Sequence, residues 1–259
     1  MKIVVLAKVV PDTYGQRSLD LGTGLAVRTA DESVWDESSE RALEVALSYA
    51  DRAPGTEVVV LSMASDSASQ HLRTGLALGA ASVVHICDDA LVGADLPLTS
   101  EVLAAGVQEI GFDLIVAGDS STDGGSGMLP AMLAERLDVP AVTFLSTIEV
   151  DAGFVEGTRV SDAGTVHLSA PLPAVVSITE ALPSARVPGF KGIMAAKRKS
   201  IERLALNTIG VDADDPAVAR SIMLRVSQTP GRRAGVKIED QGDAGERLAA
   251  YLVENGLAG

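Results

Sequence analysis

The ten residues Gly118-Asp119-Ser120-Ser121-Thr122-Asp123-Gly124-Gly125-Ser126-Gly127 hold four glycines, four Ser or Thr and two Asp. Glycines let backbone amides approach a phosphate, hydroxyls add donors, and a helix starting just beyond favours an anion at its positive end. The segment leaves the apolar run Asp113–Ala117 and enters a helical pattern after Leu129, the position where open α/β sheets bind ligands. Asp119 and Asp123 repel a di- or triphosphate unless they point away or hold a cation. A monophosphate such as AMP, or the hydroxyls of a ribose, is the easier guest. The segment is neither a Gly-x-Gly-x-x-Gly fingerprint nor a Walker loop, and composition alone fits a flexible solvated loop equally well.

Two more loops belong to the same edge of such a sheet: Lys8-Val9-Val10-Pro11-Asp12 after the first strand and Met63-Ala64-Ser65-Asp66 after the second. Singly each reads as plain connection. Together with Asp36 at a helix start they outline a nucleotide-sized crevice. Catalytic constellations are missing. His71, His85 and His167 fall on a helix, a buried strand and a hairpin, without the Cys or carboxylate spacing of a metal site, and each reads as structural. Cys87 ends a strand as a small hydrophobe, Asp88 and Asp89 read as a solvated loop, and no Gly-x-Ser-x-Gly elbow marks a nucleophile.

A second kind of chemistry is recognition. Six of the 21 Lys and Arg residues lie between Arg186 and Arg203, offset only by Glu202, in a chain of net charge −14. This island follows the apolar run Pro173–Ile178 and the loop Glu180-Ala181-Leu182-Pro183-Ser184-Ala185-Arg186-Val187-Pro188. A proline-punctuated loop with apolar Leu182 beside Arg186 and Lys191 suits a docking surface, an apolar anchor within a polar rim. The acidic balance argues against nucleic acid as a partner, and the island offers only Phe190 for base stacking.

The positioning elements follow from periodicity. Short β-branched runs, Ile3–Val9, Val58–Ser62, Ser82–Ile86, Asp113–Ala117, Ala141–Phe144 and Ala174–Thr179, read as strands buried on both faces. Helical spacing fills Asp36–Arg52, Ser67–Ala80, Ser100–Ile110 and Pro130–Leu137 between them. Alternating strand and helix predicts an open, doubly wound, mostly parallel α/β sheet, Rossmann-like in its winding. Residues 148–157 and 159–168 alternate around Asp-Ala-Gly turns and predict antiparallel hairpins added to that sheet, an extension of about 146–170. The α/β domain is placed at 1–206, with the docking loop at about 180–199. Residues 207–259 form a linker and a C-terminal arm, closing with an amphipathic helix near 244–256.

At 259 residues the chain can bury one large core. It is 47% hydrophobic, yet no stretch approaches the ~20 apolar residues of a membrane span. Met1–Lys8 reads as a first strand rather than a signal peptide. The single Cys87 excludes an internal disulfide and suits a reducing cytoplasm.

A nucleotide-sized crevice and a docking loop without a catalytic set resemble the β subunit of the electron transfer flavoprotein family. The resemblance covers nearly the whole chain: residues 3–13, 36–44, 72–80, Gly118–Gly127, Leu172–Val176 through Gly192–Lys199, and Ala234-Gly235-Val236-Lys237 at the start of the family's arm. It implies a non-catalytic subunit of a heterodimer. FAD is held mainly by the α subunit, and an AMP without redox role sits in the β subunit. The implied AMP pocket is Leu6, Asp36, Glu37, Ser38, Ser39, Met63 and the loop from Gly118 through Met128 to Leu129. The implied docking residues are Leu182, Arg186 and Lys191. Electrons would come from flavin dehydrogenases such as the acyl-CoA dehydrogenases of fatty acid oxidation. They would pass to the respiratory chain through an electron transfer flavoprotein–quinone oxidoreductase.

The chain departs from the family pattern in places. Asp36-Glu37 stands where many members have Asn-Pro, Leu182-Pro183-Ser184-Ala185-Arg186 replaces a common Leu/Ile-Asn-Glu-Pro-Arg, and Met128 replaces a polar residue. Within the family, an electron-bifurcating member places a second FAD at the AMP position, although Asp36, Asp119 and Asp123 make a pyrophosphate less welcome. Outside it, a free-standing adenine-nucleotide protein of the stress type would carry Gly-x-x-Gly-x-x-Gly, which is lacking here. An adenylating ligase would carry Ser-Gly-Gly-x-Asp-Ser, and Ser120–Gly125 has similar residues in another order.

Overall fold

The computed structural model describes every residue except 217, 219, 233, 234, 236, 238 and 259, and at Ala30 the backbone alone. Ala234 and Val236 of the expected arm motif thus lie outside the described residues. The chain forms two compact units, Met1–Arg225 and Val226–Gly259.

The first unit is built on β1 (Lys2–Leu6), β2 (Val9–Pro11), β3 (Ser33–Trp35), α1 (Glu37–Arg52), β4 (Glu57–Met63), α2 (Ser69–Leu78), β5 (Ser82–Ile86), α3 (Leu96–Ile110), β6 (Leu114–Gly118), α4 (Leu129–Leu137), β7 (Ala141–Val150), β8 (Phe154–Ser161), β9 (Gly164–Pro171), β10 (Ala174–Ile178), α5 (Phe190–Ala196) and β11 (Glu202–Leu204). Nine strands make one sheet in the order β11-β5-β4-β1-β6-β10-β7-β8-β9, parallel from β11 to β7. From β1 the chain winds outward through β4 and β5, then returns to place β6 on the other side of β1. The switch point therefore lies between β1 and β6, where a doubly wound sheet opens a crevice at its carboxyl edge. Apolar side chains fill both faces. Ile3, Val5, Leu43, Val60, Leu72 and Val116 lie in one cluster, and Val4, Leu61, Ile86, Val102, Ile115 and Val175 in the other.

Three details depart from the sequence reading. The first strand does not run to Val9. The Lys8 amide donates to Ser39 Oγ and its carbonyl accepts from Asp36, so the chain leaves the parallel ladder to meet the start of α1. Val9–Pro11 then pairs antiparallel with Ser33–Trp35 in a separate two-stranded sheet. The hairpins are one meander: β7 leaves its parallel pairing with β10 and continues into antiparallel pairing with β8, and all of β8 also pairs with β9. Finally, α3 begins at Leu96, because the Asp95 carboxylate caps the Leu98 amide at 2.9 Å and Pro97 fits the first turn.

The second unit contains α6 (Ala244–Glu254), an amphipathic helix with no buried residue and with Leu248, Tyr251 and Val253 exposed. Among the described residues no helix is long and apolar enough to cross a membrane.

Candidate functional site at the switch point

Gly118 ends β6 against the first turn of α1 so closely that a Cβ built on it would overlap Ser38. Only glycine allows that approach. Asp36 caps α1 from the buried side. One carboxylate oxygen accepts from the Ser38 amide at 3.2 Å and its hydroxyl at 2.9 Å, and the other from the Thr122 amide at 2.7 Å and its hydroxyl at 3.1 Å. One residue thus stitches helix to loop, and its charge is spent on four donors. The sequence reading placed that charge beside a ligand; its orientation turns it inward.

Asp123 is also turned inward. Lys8 Nζ donates to Asp123 Oδ1 at 2.6 Å and to Ser121 Oγ at 3.0 Å, and Arg28 closes on the other carboxylate oxygen. Burial alone would raise this carboxyl, but hydrogen bonds from Lys8 and Ser121 and the charges of Lys8 and Arg28 bring it down to about 2. Arg17 donates to the Thr122 carbonyl at 2.6 Å. Three cations therefore converge on residues 121–123, where Asp123 has a cationic partner on each oxygen and the Asp36 carboxylate binds Thr122. Asp119 is the remaining acid. Burial pushes its carboxyl up, the Ser120 amide only partly offsets that, and Glu180 and Asp36 add repulsion.

Beyond Asp123 the loop opens. Gly125 and Gly127 take φ of +61° and +63°, conformations that glycine adopts without strain. Met128 is the N-cap residue of α4 but supplies no side-chain cap, and Pro130 has no amide hydrogen, so the amides of Leu129 and Ala131 have no capping side chain at the helix's positive end. Ser120 and Ser121 are partly buried, while Ser126 and Met128 are exposed beside the opening. Leu6 ends β1 in the core and Met63 ends β4 half-buried, both at the same carboxyl edge. Ser39, buried, receives the Lys8 amide. Glu37 lies elsewhere: it shares a shallow pocket with Glu40, Arg41, Ser184 and Ala185, on the side of the docking loop.

The docking loop differs from expectation at its anchor. Leu182 is 8% exposed and packs in the core, with Arg41 donating to its carbonyl. A leucine between Thr179 and a helix flank finds more apolar contact inward than outward. The apolar groups most exposed are Val187 (88%) and Phe190 (81%), with Ile193 and Met194 less so. Arg186 is a brace: its guanidinium donates to both Glu44 oxygens and to Asp51, each at 2.9 Å, which pins the loop to α1. Lys199 donates to the carbonyls of Ala80 and Ala81, and Arg203 pairs with Asp66. Half of the basic island is thus bound internally, leaving Lys191, Lys197 and Arg198 exposed.

Sequence reasoning missed Arg17 and Arg28. Their partners lie 105 and 95 residues away, and no local pattern encodes such pairs. His85 is fully buried, its Nε2 2.9 Å from the Ala64 carbonyl and its Nδ1 3.3 Å from Ser69 Oγ. Burial lowers its pKa, outweighing the Ala64 bond. Among the described residues no group of three or more His, Cys, Asp or Glu is placed to hold a metal.

Fold and site together define an open α/β protein with a cation-braced, glycine-rich loop at its switch point. Residues 23–209 match the family model of the electron transfer flavoprotein domain, and the chain belongs to that family. It is 42% identical to electron transfer flavoprotein subunit beta of Mycobacterium leprae, over 97% of both chains. It is 40% identical to the subunit of the same name from Mycobacterium tuberculosis strain H37Rv, again over 97% of both. It is 35% identical to the caffeyl-CoA reductase-Etf complex subunit CarD of Acetobacterium woodii, over 78% of this chain and 77% of that one.

Proposed function

We propose that this chain is the non-catalytic β subunit of a heterodimeric electron carrier, holding an AMP at the Gly118–Leu129 loop. The observation that carries the reading is the inward saturation of Asp36 and Asp123 by Lys8, Arg28, Ser38 and Thr122. It occupies two of the three carboxylates around the loop, and the first turn of α4 beside it has no side-chain cap. The residues present suit a monophosphate: amides of residues 126–129 and the hydroxyl of Ser126 as donors, with the edge at Leu6 and Met63 left for an apolar base. Ser38 contributes by packing α1 against β6 and Ser39 by holding α1 to the chain after β1.

The redox flavin, an FAD held mainly by the α subunit, supplies the electron chemistry. This chain's own residues bind, orient and dock. Flavin dehydrogenases would deliver electrons at the 180–199 segment, with a quinone oxidoreductase as acceptor, in the cytoplasm. Val187 and Phe190 would serve as the apolar contacts and Lys191 as part of the rim. Leu182 and Arg186 would hold the segment's shape. The C-terminal arm would pack on the α subunit.

The test is Gly125→Asp. It places an uncompensated carboxylate in the open half of the loop, where a built Cβ meets nothing within 4 Å and the strain of a φ of +61° is smaller for Asp than for most residues. The variant should fold, retain FAD and lose AMP. Wild-type AMP content in that variant would remove the loop from the site.

A further inference from the structure

Phe144 sits where β7 passes from its parallel ladder with β10 into the meander, at a register shift, and its φ is +60°. A bulky non-glycine residue pays conformational energy in the left-handed region and persists there only when its surroundings fix it. The fixing contacts are visible. The Phe144 amide donates to Oγ of fully buried Ser177 at 2.9 Å. Its ring lies against Gly127, where a built Cβ would stand 3.3 Å from Cζ and 3.5 Å from Cε1. The residue remains 39% exposed, so filling the core is not what it does.

The two halves of the loop are held differently. Residues 121–123 are tied by Asp36, Lys8, Arg17 and Arg28. Among the described residues no side-chain hydrogen bond reaches residues 125–128; the Gly125 amide bonds back to the Ser121 carbonyl at 2.8 Å. Gly127, without a side chain and with φ of +63°, has wide backbone freedom unless a neighbour limits it. The three atoms nearest a built Cβ are two of the Phe144 ring and the Asp119 carbonyl oxygen, the latter at 3.7 Å.

We infer that Phe144 is a positioning residue for the nucleotide: its ring holds Gly127 in the left-handed turn that aims the amides entering α4 at the phosphate. The inference rests on the AMP reading above. It accounts for a part-exposed aromatic, rather than a glycine, at the left-handed position of the bulge between β7 and β10.

The test separates ring from strain. Phe144→Gly deletes the ring while relieving the left-handed backbone, Phe144→Tyr keeps the ring, and Phe144→Leu keeps bulk without the planar face. Each full chain, purified with its partner subunit and stripped of nucleotide, is titrated with AMP by calorimetry. Phe144→Gly should bind about tenfold more weakly, the change expected when backbone freedom must be fixed on binding. Phe144→Tyr should match wild type, and the stripped forms should melt together. Amide exchange at residues 125–128 should quicken in Phe144→Gly alone. Wild-type affinity in Phe144→Gly overturns the inference and leaves the AMP reading intact. A stripped Phe144→Gly that melts far below wild type, with exchange at 125–128 unchanged, assigns the ring to general packing and also overturns it. If Phe144→Gly does not fold, weakened binding in Phe144→Leu supports the inference and unchanged binding overturns it. No AMP binding by the wild type overturns both readings.

Discussion

Replacing Lys8 with Met removes the ammonium that reaches Asp123 at 2.6 Å and Ser121 at 3.0 Å. The carboxyl of Asp123 is held at about 2 instead of its ordinary 3.8. At 1.36 kcal/mol per pH unit, that drop corresponds to roughly 2.5 kcal/mol for all partners acting together. The Lys8 and Arg28 side chains are 43% and 40% exposed, so solvent screens both pairs, and the share belonging to Lys8 is about 1 kcal/mol. Urea unfolding of wild type, Lys8→Met, Asp123→Asn and the double variant at pH 7 isolates that coupling. The sign follows from the lowered carboxyl: its contribution is fully present above about 3.8 and is lost as pH falls through about 2. The coupling should therefore be near 1 kcal/mol at pH 7 and shrink as the pH is lowered toward 3. A coupling of zero at pH 7, or one indifferent to acid, would refute the internal-neutralisation argument on which the phosphate site depends.

The remaining predictions draw on other parts of the molecule. Gly118→Ala forces a methyl into Ser38, and overpacking of this kind costs about 1–3 kcal/mol; denaturant midpoints and AMP content should fall together. Leu182→Ala should lower stability by about 2–5 kcal/mol as a buried truncation. Val187→Ser with Phe190→Ser should leave stability near wild type but slow electron uptake from a dehydrogenase, measured by stopped flow. His85 has a lowered pKa in the fold, so the unfolded chain binds the extra proton and stability should decline as pH drops below about 6.5. His85→Gln should flatten that slope in urea titrations between pH 7 and 5.

The parallel sheet and its helices were legible because buried strands and amphipathic helices impose short-range periodicities, and Asp36 announces a helix start by type, whereas the spacing over Ser100–Ile110 misses the cap at Asp95 and reads α3 four residues short. The glycine-rich loop was legible for the same reason: its composition is local, and the winding order places it at the switch point. What was hidden depends on distant pairing. Arg17 and Arg28 are ordinary charges until a loop some hundred residues on folds against them. Leu182 reads as a presented anchor when judged by neighbouring polarity, yet its side chain finds the core. The turn of the chain at Lys8 is set by hydrogen bonds to Ser39 and Asp36, and the sharing of β8 between two ladders is decided by closure of the meander. Phe144 gave no signal at all, since its conformation, not its type, sets it apart.

The most direct measurement is a nucleotide inventory of the native complex: purify the full chain with its partner, denature in acid, and quantify every released nucleotide against protein. One AMP and one FAD per heterodimer is the predicted result. Two FAD without AMP, or no adenylate beyond the flavin, would contradict it.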